Sequence, residues 1–128
     1  MLTSAAVLTA TVGSLLAVHV TPAQAQARNY YGAISVSVRA GHSTISTNYG
    51  SFAEAESASL NSCRTNGGGG GCEVKLSWRN GCGAIAISRG WWSYGSGASI
   101  GAAKRSALDA NPGAASIKHW KCTSGYSL

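Results

Sequence analysis

The chain has 128 residues, with ten Lys and Arg against four Asp and Glu and a formal net charge of +6. This length leaves room for one small domain and excludes a multidomain architecture. The positive charge favours anionic partners such as nucleic acid, acidic glycans, phospholipid or an acidic protein, although a basic extracellular domain without such a partner has the same composition.

Residues 1–27 are predicted to be an export signal. Ala5 to Val20 is uncharged and mostly small or aliphatic, and the small residues that follow favour cleavage after Ala25 or Ala27. Residues 28–128 would then form one secreted or periplasmic domain without a transmembrane segment. No Lys or Arg precedes the apolar run, which leaves open a true start upstream of the first Met or a weak signal. An uncleaved membrane anchor is the alternative, but the run is short and interrupted by polar residues.

Four cysteines lie in the predicted mature region. An even number of cysteines in a short exported chain indicates two disulfides. Their spacing favours Cys63–Cys72, which would close a loop of consecutive glycines, and Cys82–Cys122, which would tie the centre of the chain to its end. A zinc site would need close Cys-x-x-Cys pairs, which the sequence lacks. Neither a metal nor another cofactor is therefore predicted.

An internal repeat organises the mature region. The segment Gly32-Ala-Ile-Ser-Val-Ser37 recurs as Gly83-Ala-Ile-Ala-Ile-Ser88. Each copy continues into a stretch rich in Gly, Ser and Tyr, then a helix of small residues and a last strand. The two copies cover residues 30–80 and 81–122.

Each predicted helix begins at a serine. Ser51, with Glu54 three residues on, forms a capping box, and Ser99 begins the second helix. The repeated unit is therefore strand, strand, helix, strand. Two such units predict an α+β fold in which one small antiparallel-rich sheet carries both helices on one face, held by the two disulfides.

The segment from Val74 to Ser88 predicts a β-hairpin. Two alternating runs flank Asn80-Gly81, a dipeptide that favours the positive φ angles of a two-residue turn. The apolar face of this hairpin would contain three cross-strand pairs, namely Trp78 with Gly83, Leu76 with Ile85, and Val74 with Ile87.

Several short motifs resemble one protein family. They are Tyr-Tyr-Gly-Ala-Ile near the mature start, Ala-Glu-Ala before the first helical cysteine, Trp-Arg-Asn-Gly-Cys-Gly-Ala-Ile-Ala, Gly-Trp-Trp, and a final Trp-Lys-Cys. In this order, from Tyr30 to Cys122, they are similar to the small exported bacterial proteins with the domain of unknown function 4189. The resemblance implies an exported, disulfide-bonded single domain and brings no established activity or catalytic residues.

The chain departs from the resembled family at one place. Members often carry another cysteine pair around the second helix, whereas here Asn111 stands at the position that matches Cys63. The first disulfide therefore has no counterpart in the second copy. This departure implies a second half that is looser or differently cross-linked.

Two histidines in the mature region could serve as an acid and a base. A small basic secreted nuclease could use His42 and His119 on either side of a phosphate. Nothing in the sequence brings the two residues together, and histidines in strands and turns are usually polar surface residues. No catalytic residue is predicted.

Candidate binding residues are aromatic and basic. Adjacent aromatics in a strand point to opposite faces, so at most one of Trp91 and Trp92 can join the core. The other, with Tyr94, could stack on a sugar, a base or a protein, unless both rings are structural. A basic patch beside them is expected from charged residues opposite the apolar face and near the chain end, unless these are ordinary solvent-facing charges: Arg39, Lys75, Arg79, Arg89, Lys118 and Lys121.

These observations predict a monomeric, non-catalytic binding module, secreted or periplasmic. Its partner would be an envelope component or another exported protein, anionic in character, and the module could inhibit an exported hydrolase. No specific recognition of nucleic acid is expected. The alternatives are the small nuclease and a structural protein that coats the envelope.

Overall fold

The computed structural model describes residues 28–126, so the predicted export signal lies outside the described residues. This part contains six strands and two helices. Their bounds are β1 Tyr31–Ser37, β2 His42–Tyr49, α1 Phe52–Cys63, β3 Glu73–Arg79, β4 Cys82–Ser88, β5 Trp91–Gly97, α2 Ile100–Asp109 and β6 Ser116–Cys122. A π-helical turn, Arg64–Gly68, and a 3₁₀ turn, Gly69–Gly71, connect α1 to β3.

The strand-strand-helix-strand unit occurs twice, as the repeat predicts. The first copy forms a sheet in the order β2-β1-β3, and the second forms a sheet in the order β5-β4-β6. All strand pairs are antiparallel. The α+β class is confirmed, but the strands build two three-stranded sheets where the sequence predicted a single one.

The two copies repeat the same helix start. Ser51 Oγ accepts a hydrogen bond from Glu54 N at 3.1 Å, and Ser99 Oγ accepts one from Ala102 N at 3.1 Å. Each serine side chain satisfies a backbone N–H that has no partner within its helix. In the first copy Ser51 Oγ also donates to Glu54 Oε2 at 3.2 Å, so Glu54 contacts the capping serine through its hydroxyl and not through the backbone N–H of a full capping box.

A second contact repeats where each helix crosses its sheet. Thr44 Oγ1 of β2 donates to Ser59 O at 2.7 Å, and Ser93 Oγ of β5 donates to Ala107 O at 2.7 Å. Both hydroxyls come from the third residue of their strand. The matching contacts indicate that the sequence repeat is also a structural duplication.

The two sheets face each other across the main apolar core. It contains side chains from both sheets: Ile34, Val36, Ile45, Trp78 and Ile85. The outward faces carry small residues such as Ala33 and Ala84, which let a helix lie close to the strands. Accordingly α1 packs on β1–β3 and α2 on β4–β6, so the helices lie on opposite outer faces and not on one face.

The predicted hairpin between β3 and β4 does not form. β3 pairs with β1, whereas β4 pairs with β5 and β6. Asn80 N donates to Tyr30 O at 2.8 Å, and Gly81 O accepts from Thr123 N at 2.8 Å. The chain therefore leaves the first sheet at Asn80 and enters the second at Gly81, although Asn80 has the positive φ of a turn residue, 51°.

One of the three predicted apolar pairs, Trp78 with Gly83, is in contact although the two strands do not pair. The Trp78 ring lies against Gly83, as the hairpin predicted, and equally against Gly32 of its own sheet. Its Nε1 donates to Gly81 O at 3.0 Å. Glycines without Cβ atoms let the indole fill the space between the sheets, so Trp78 contacts its predicted neighbour across the core and not along a strand pair.

Both disulfides have the pairing that the spacing favoured. Cys63 at the end of α1 bonds to Cys72, and Cys82 bonds to Cys122, its direct partner across β4 and β6. Within residues 28–126 no cysteine is left free. Neither helix of this part is long and apolar enough to cross a membrane.

Candidate binding site

The turns β1–β2 and β4–β5 lie at the same end of the sandwich. There Lys118 Nζ of β6 contacts Ser43 Oγ of β2 at 3.2 Å, and at the opposite end Ser124 N donates to Asn48 Oδ1 at 2.9 Å. β1 and β4 therefore run in the same direction through the facing sheets. We call the first end, comprising residues 38–41, 89–92 and Lys118, the turn end.

The two adjacent tryptophans of β5 occupy different environments at the turn end. Trp91 is 57% exposed, the largest exposed fraction of any large apolar side chain among the described residues. Trp92 is partly buried and packs against the inter-sheet core, as does Tyr94. Burial and the nearby Glu73 carboxylate raise the pKa of Tyr94 to about 12. Trp91 is thus the ring of the three that is available to a partner.

A hydrogen-bond network fixes the backbone beneath Trp91. Asn111, only 8% exposed, donates through Nδ2 to Ser93 Oγ at 3.1 Å and to Trp91 O at 3.4 Å. Its Oδ1 accepts from Ser88 Oγ at 2.6 Å and from Gly113 N at 2.9 Å. Asn111 occupies the place that Cys63 holds in the first copy, so a buried amide replaces a disulfide there.

Lysines stack on two of the remaining indoles. Lys118 Nζ lies 5.4 Å from the centre of the Trp92 ring, and Lys104 Nζ lies 5.1 Å from that of Trp120. Both distances are within the range of cation–π attraction. The Lys118–Trp92 pair lies on the inter-sheet side of β5, whereas Trp120 lies on the face of the second sheet that α2 covers.

The predicted basic residues do not gather in one patch. Arg39 lies in the β1–β2 turn, at the turn end. Lys75 pairs with Glu73 at 2.7 Å, a contact that lowers the pKa of the Glu73 carboxyl. Arg79 ends β3 at the opposite end of the sheet, beside Tyr31 in the strand register. Of these three residues, only Arg39 lies at the turn end, where it belongs to the first sheet.

The candidate histidines belong to different layers. His42 pairs with Ser37 on the outer side of the first sheet, and its Nε2 is buried without a hydrogen-bond partner in the described part of the chain. His119 pairs with Ile85, whose side chain lies in the inter-sheet core. Burial, together with Lys121 and Lys118, lowers the pKa of His119. No cluster of three or more potential metal ligands occurs within residues 28–126.

A second concave surface, which the sequence reasoning missed, lies at the end opposite the turn end. This aromatic cleft has a volume of about 440 Å³ and is lined by Arg28, Asn29, Tyr30, Tyr31, Asn48, Tyr49 and Gly50. Tyr31 also meets Phe52 edge-on, with ring centres 4.7 Å apart. In the sequence, the adjacent Tyr30 and Tyr31 could have indicated an aromatic surface. That Tyr49 belongs to the same surface follows only from the pairing of β1 with β2.

The sequence model of one protein family, described as Domain of unknown function (DUF4189), matches residues 31–122. The chain belongs to this family. The match begins with β1 and ends with β6, so the DUF4189 domain comprises both structural copies. No curated protein and no solved structure matches the chain. Membership in this family assigns no activity to the chain.

Proposed function

We propose that this DUF4189 domain is a non-catalytic extracytoplasmic binding module that recognises an anionic component of the cell envelope through its turn end. The observation that carries the proposal is the exposure of Trp91, at 57% of its surface, on a backbone held by the buried Asn111. An exposed indole on a fixed backbone is a large contact surface that has only two side-chain torsions to lose on binding.

The charge of the turn end supports an anionic partner. Arg39, Arg89 and Lys118 belong to the turn end, and the nearby Glu73 is engaged by Lys75. The second copy as a whole, residues 81–122, has five basic side chains against one acidic side chain. Lys118 is already ordered against the Trp92 ring, so a bound anion would meet a cation that needs little further ordering.

The two disulfides support a site of action outside the cytoplasm. Such bonds persist in the periplasm and the extracellular space, whereas reducing systems of the cytoplasm keep most thiols free. This support is independent of the predicted export signal. A location outside the cytoplasm is consistent with a ligand in the cell envelope.

The test is retention of the purified protein, with disulfides formed, on isolated cell-envelope material across a salt series. Trp91→Ala is the decisive variant, and Trp120→Ala is its matched control because Trp120 is also exposed, at 38%, but lies away from the turn end. We expect retention that weakens as salt rises and that is lost in Trp91→Ala and in Arg39→Gln. Arg105→Gln, on the exposed side of α2, should behave as the unaltered protein.

Three results would contradict the proposal. Equal retention of the Trp91 and Trp120 variants would remove the turn end as the binding surface. Cleavage of RNA by the unaltered protein, lost in His42→Ala and in His119→Ala, would favour the nuclease instead. Salt-resistant retention that requires Trp91 would point to a protein receptor, the second partner class that the sequence predicted, and would remove the anionic ligand.

A further inference from the structure

The aromatic cleft lies at a position where the two copies differ. In the first copy, β3, β1 and β2 place three side chains in one row, Arg79, Tyr31 and Tyr49. The same row in the second copy, across β6, β4 and β5, consists of Cys122, Cys82 and Gly97. Because the fold is duplicated, the second copy shows which side chains are sufficient to pack at this position.

The second copy closes this position. Cys82 and Cys122 form a disulfide there, and Tyr126 packs against the same cluster of buried residues. The chain after β6 is fixed by Thr123, whose Oγ1 accepts a hydrogen bond from Gly81 N at 2.9 Å. In the first copy Tyr31 and Tyr49 of this row line the cleft, which stays open. Tyr49 remains exposed where the second copy has Gly97, so its ring is available to a ligand.

Two amides in the cleft present hydrogen-bond donors. Asn29 Oδ1 accepts from Asn80 Nδ2 at 2.8 Å, and Asn48 Oδ1 accepts from Ser124 N at 2.9 Å. Because both carbonyl oxygens are engaged, the orientation of each amide is set. Neither Nδ2 donates a hydrogen bond to another residue between 28 and 126, so both N–H₂ groups are free for a ligand that offers acceptors.

The one charged side chain among the lining residues of the cleft is a cation. Arg28 belongs to its wall, and Arg79 lies beside Tyr31 in the strand register. No carboxylate is among the lining residues; Glu54 lies next to Gly50, and its Oε2 accepts a hydrogen bond from Ser51 Oγ. A guanidinium with two amide donors matches a carboxylate surrounded by hydroxyl oxygens.

From these contacts we infer that the aromatic cleft binds a saccharide that carries a carboxylate. The tyrosine rings would cover the C–H face of the sugar, since an aromatic surface with a polar rim suits a ligand that is apolar on one side and polar on the other. Arg28 would pair with the carboxylate, and Asn29 and Asn48 would donate to hydroxyl or carboxylate oxygens. The site is at the opposite end of the molecule from Trp91, so it does not depend on the proposed function.

The test is calorimetric titration of the protein, recovered with its disulfides formed from an exporting host, with a hexuronic-acid tetrasaccharide. A neutral tetrasaccharide of the same length is the control ligand. We expect the acidic saccharide to bind and the neutral one to bind at least about tenfold more weakly, because the guanidinium–carboxylate pair is absent.

Two variants assign the binding to the cleft. Tyr49→Ala removes a ring that is 39% exposed at the end of β2 and should weaken binding by about tenfold. Arg28→Gln, outside every strand and helix, should remove most of the preference for the acidic saccharide without altering the fold. Trp91→Ala, at the turn end, should leave the affinity unchanged.

The inference would be overturned by equal binding of the acidic and neutral saccharides, or by binding of neither. It would also be overturned if Tyr49→Ala and Arg28→Gln bound the acidic saccharide as tightly as the unaltered protein. Loss of binding in Trp91→Ala alone would assign the saccharide to the turn end, which contradicts the cleft but supports the proposed function. The two hypotheses therefore fail separately.

Discussion

The two copies of the repeat share their backbone plan and differ in which end is covalently fixed. In the first copy the disulfide Cys63–Cys72 lies at the turn end, and the cleft end carries Tyr31 and Tyr49. In the second copy the disulfide Cys82–Cys122 lies at the cleft end, and the turn end carries Trp91. Each copy thus exposes aromatic side chains at the end that its own disulfide leaves free. Duplication allowed one end of each unit to secure the fold and the other to diverge.

Of the changes that test this comparison, removal of each disulfide in turn should reduce the free energy of unfolding most. Cys82→Ala with Cys122→Ala opens a loop with a sequence separation of 40 and should lower the free energy of unfolding by about 4 kcal/mol. Cys63→Ala with Cys72→Ala opens a separation of 9 and should cost about 3 kcal/mol. Urea denaturation of both variants measures the difference, and a larger loss from the shorter loop would contradict the assigned roles.

Asn111→Ala tests whether a buried amide replaces the missing disulfide of the second copy. The change leaves Ser88 Oγ and Gly113 N without the acceptor that Asn111 provides, and Ser93 Oγ without one of its two partners, so we expect a loss of about 2 kcal/mol. The matched control is Asn66→Ala, because the Asn66 side chain bonds only to Ser62 Oγ on the surface. Its effect should stay within about 0.5 kcal/mol, and equal losses in urea denaturation would refute the role given to Asn111.

Two glycines test how closely α2 lies on the second sheet. A Cβ at Gly95 would meet the α2 backbone at Ser106 C, at 2.6 Å, so Gly95→Ala should destabilise the domain by about 1–3 kcal/mol. In the first copy Ser46 holds the same place, which indicates more room under α1. Gly101→Ala, within α2 and facing open space, should instead stabilise by about 0.5–1 kcal/mol. Thermal unfolding of both variants shows whether the signs are opposite.

The smallest expected effect concerns pH. Burial and two lysines lower the pKa of His119 below its ordinary 6.5, so the unfolded chain binds a proton more readily than the folded one. Stability should therefore fall as the pH drops below about 6.5, and His119→Gln should flatten this slope between about pH 7.5 and 5.5. The Glu73 carboxyl, with its lowered pKa, titrates below that range. Unfolding free energies at the two pH values provide the test, and an unchanged slope in His119→Gln would contradict it.

The sequence predicted the parts of the fold that depend on local chemistry. The serine caps at Ser51 and Ser99, the duplicated unit and both disulfide pairs are confirmed. Capping depends on neighbouring residues, and each disulfide joins segments that the repeat had already located. These features can be predicted without knowing how the two sheets pack against each other.

The sequence could not predict which strands pair around Asn80-Gly81. Alternating apolar residues indicate that a strand has one buried face, but such a face can meet a neighbouring strand or a facing sheet. Here Asn80 bonds to Tyr30 and Gly81 to Thr123, contacts between distant parts of the chain. The aromatic cleft was missed for the same reason, because Tyr31 and Tyr49 meet only through the pairing of β1 with β2.

The central claim is that Trp91 is the contact surface of the second copy, and the four tryptophan indoles test it in one experiment. Their N–H signals in a two-dimensional NMR spectrum can be followed while a solubilised anionic envelope fraction is added. We predict that the Trp91 signal moves most, that Trp92 follows through its neighbouring Lys118, and that the buried Trp78 stays in place. Movement of Trp120 without Trp91, or no movement of any indole, would contradict the claim.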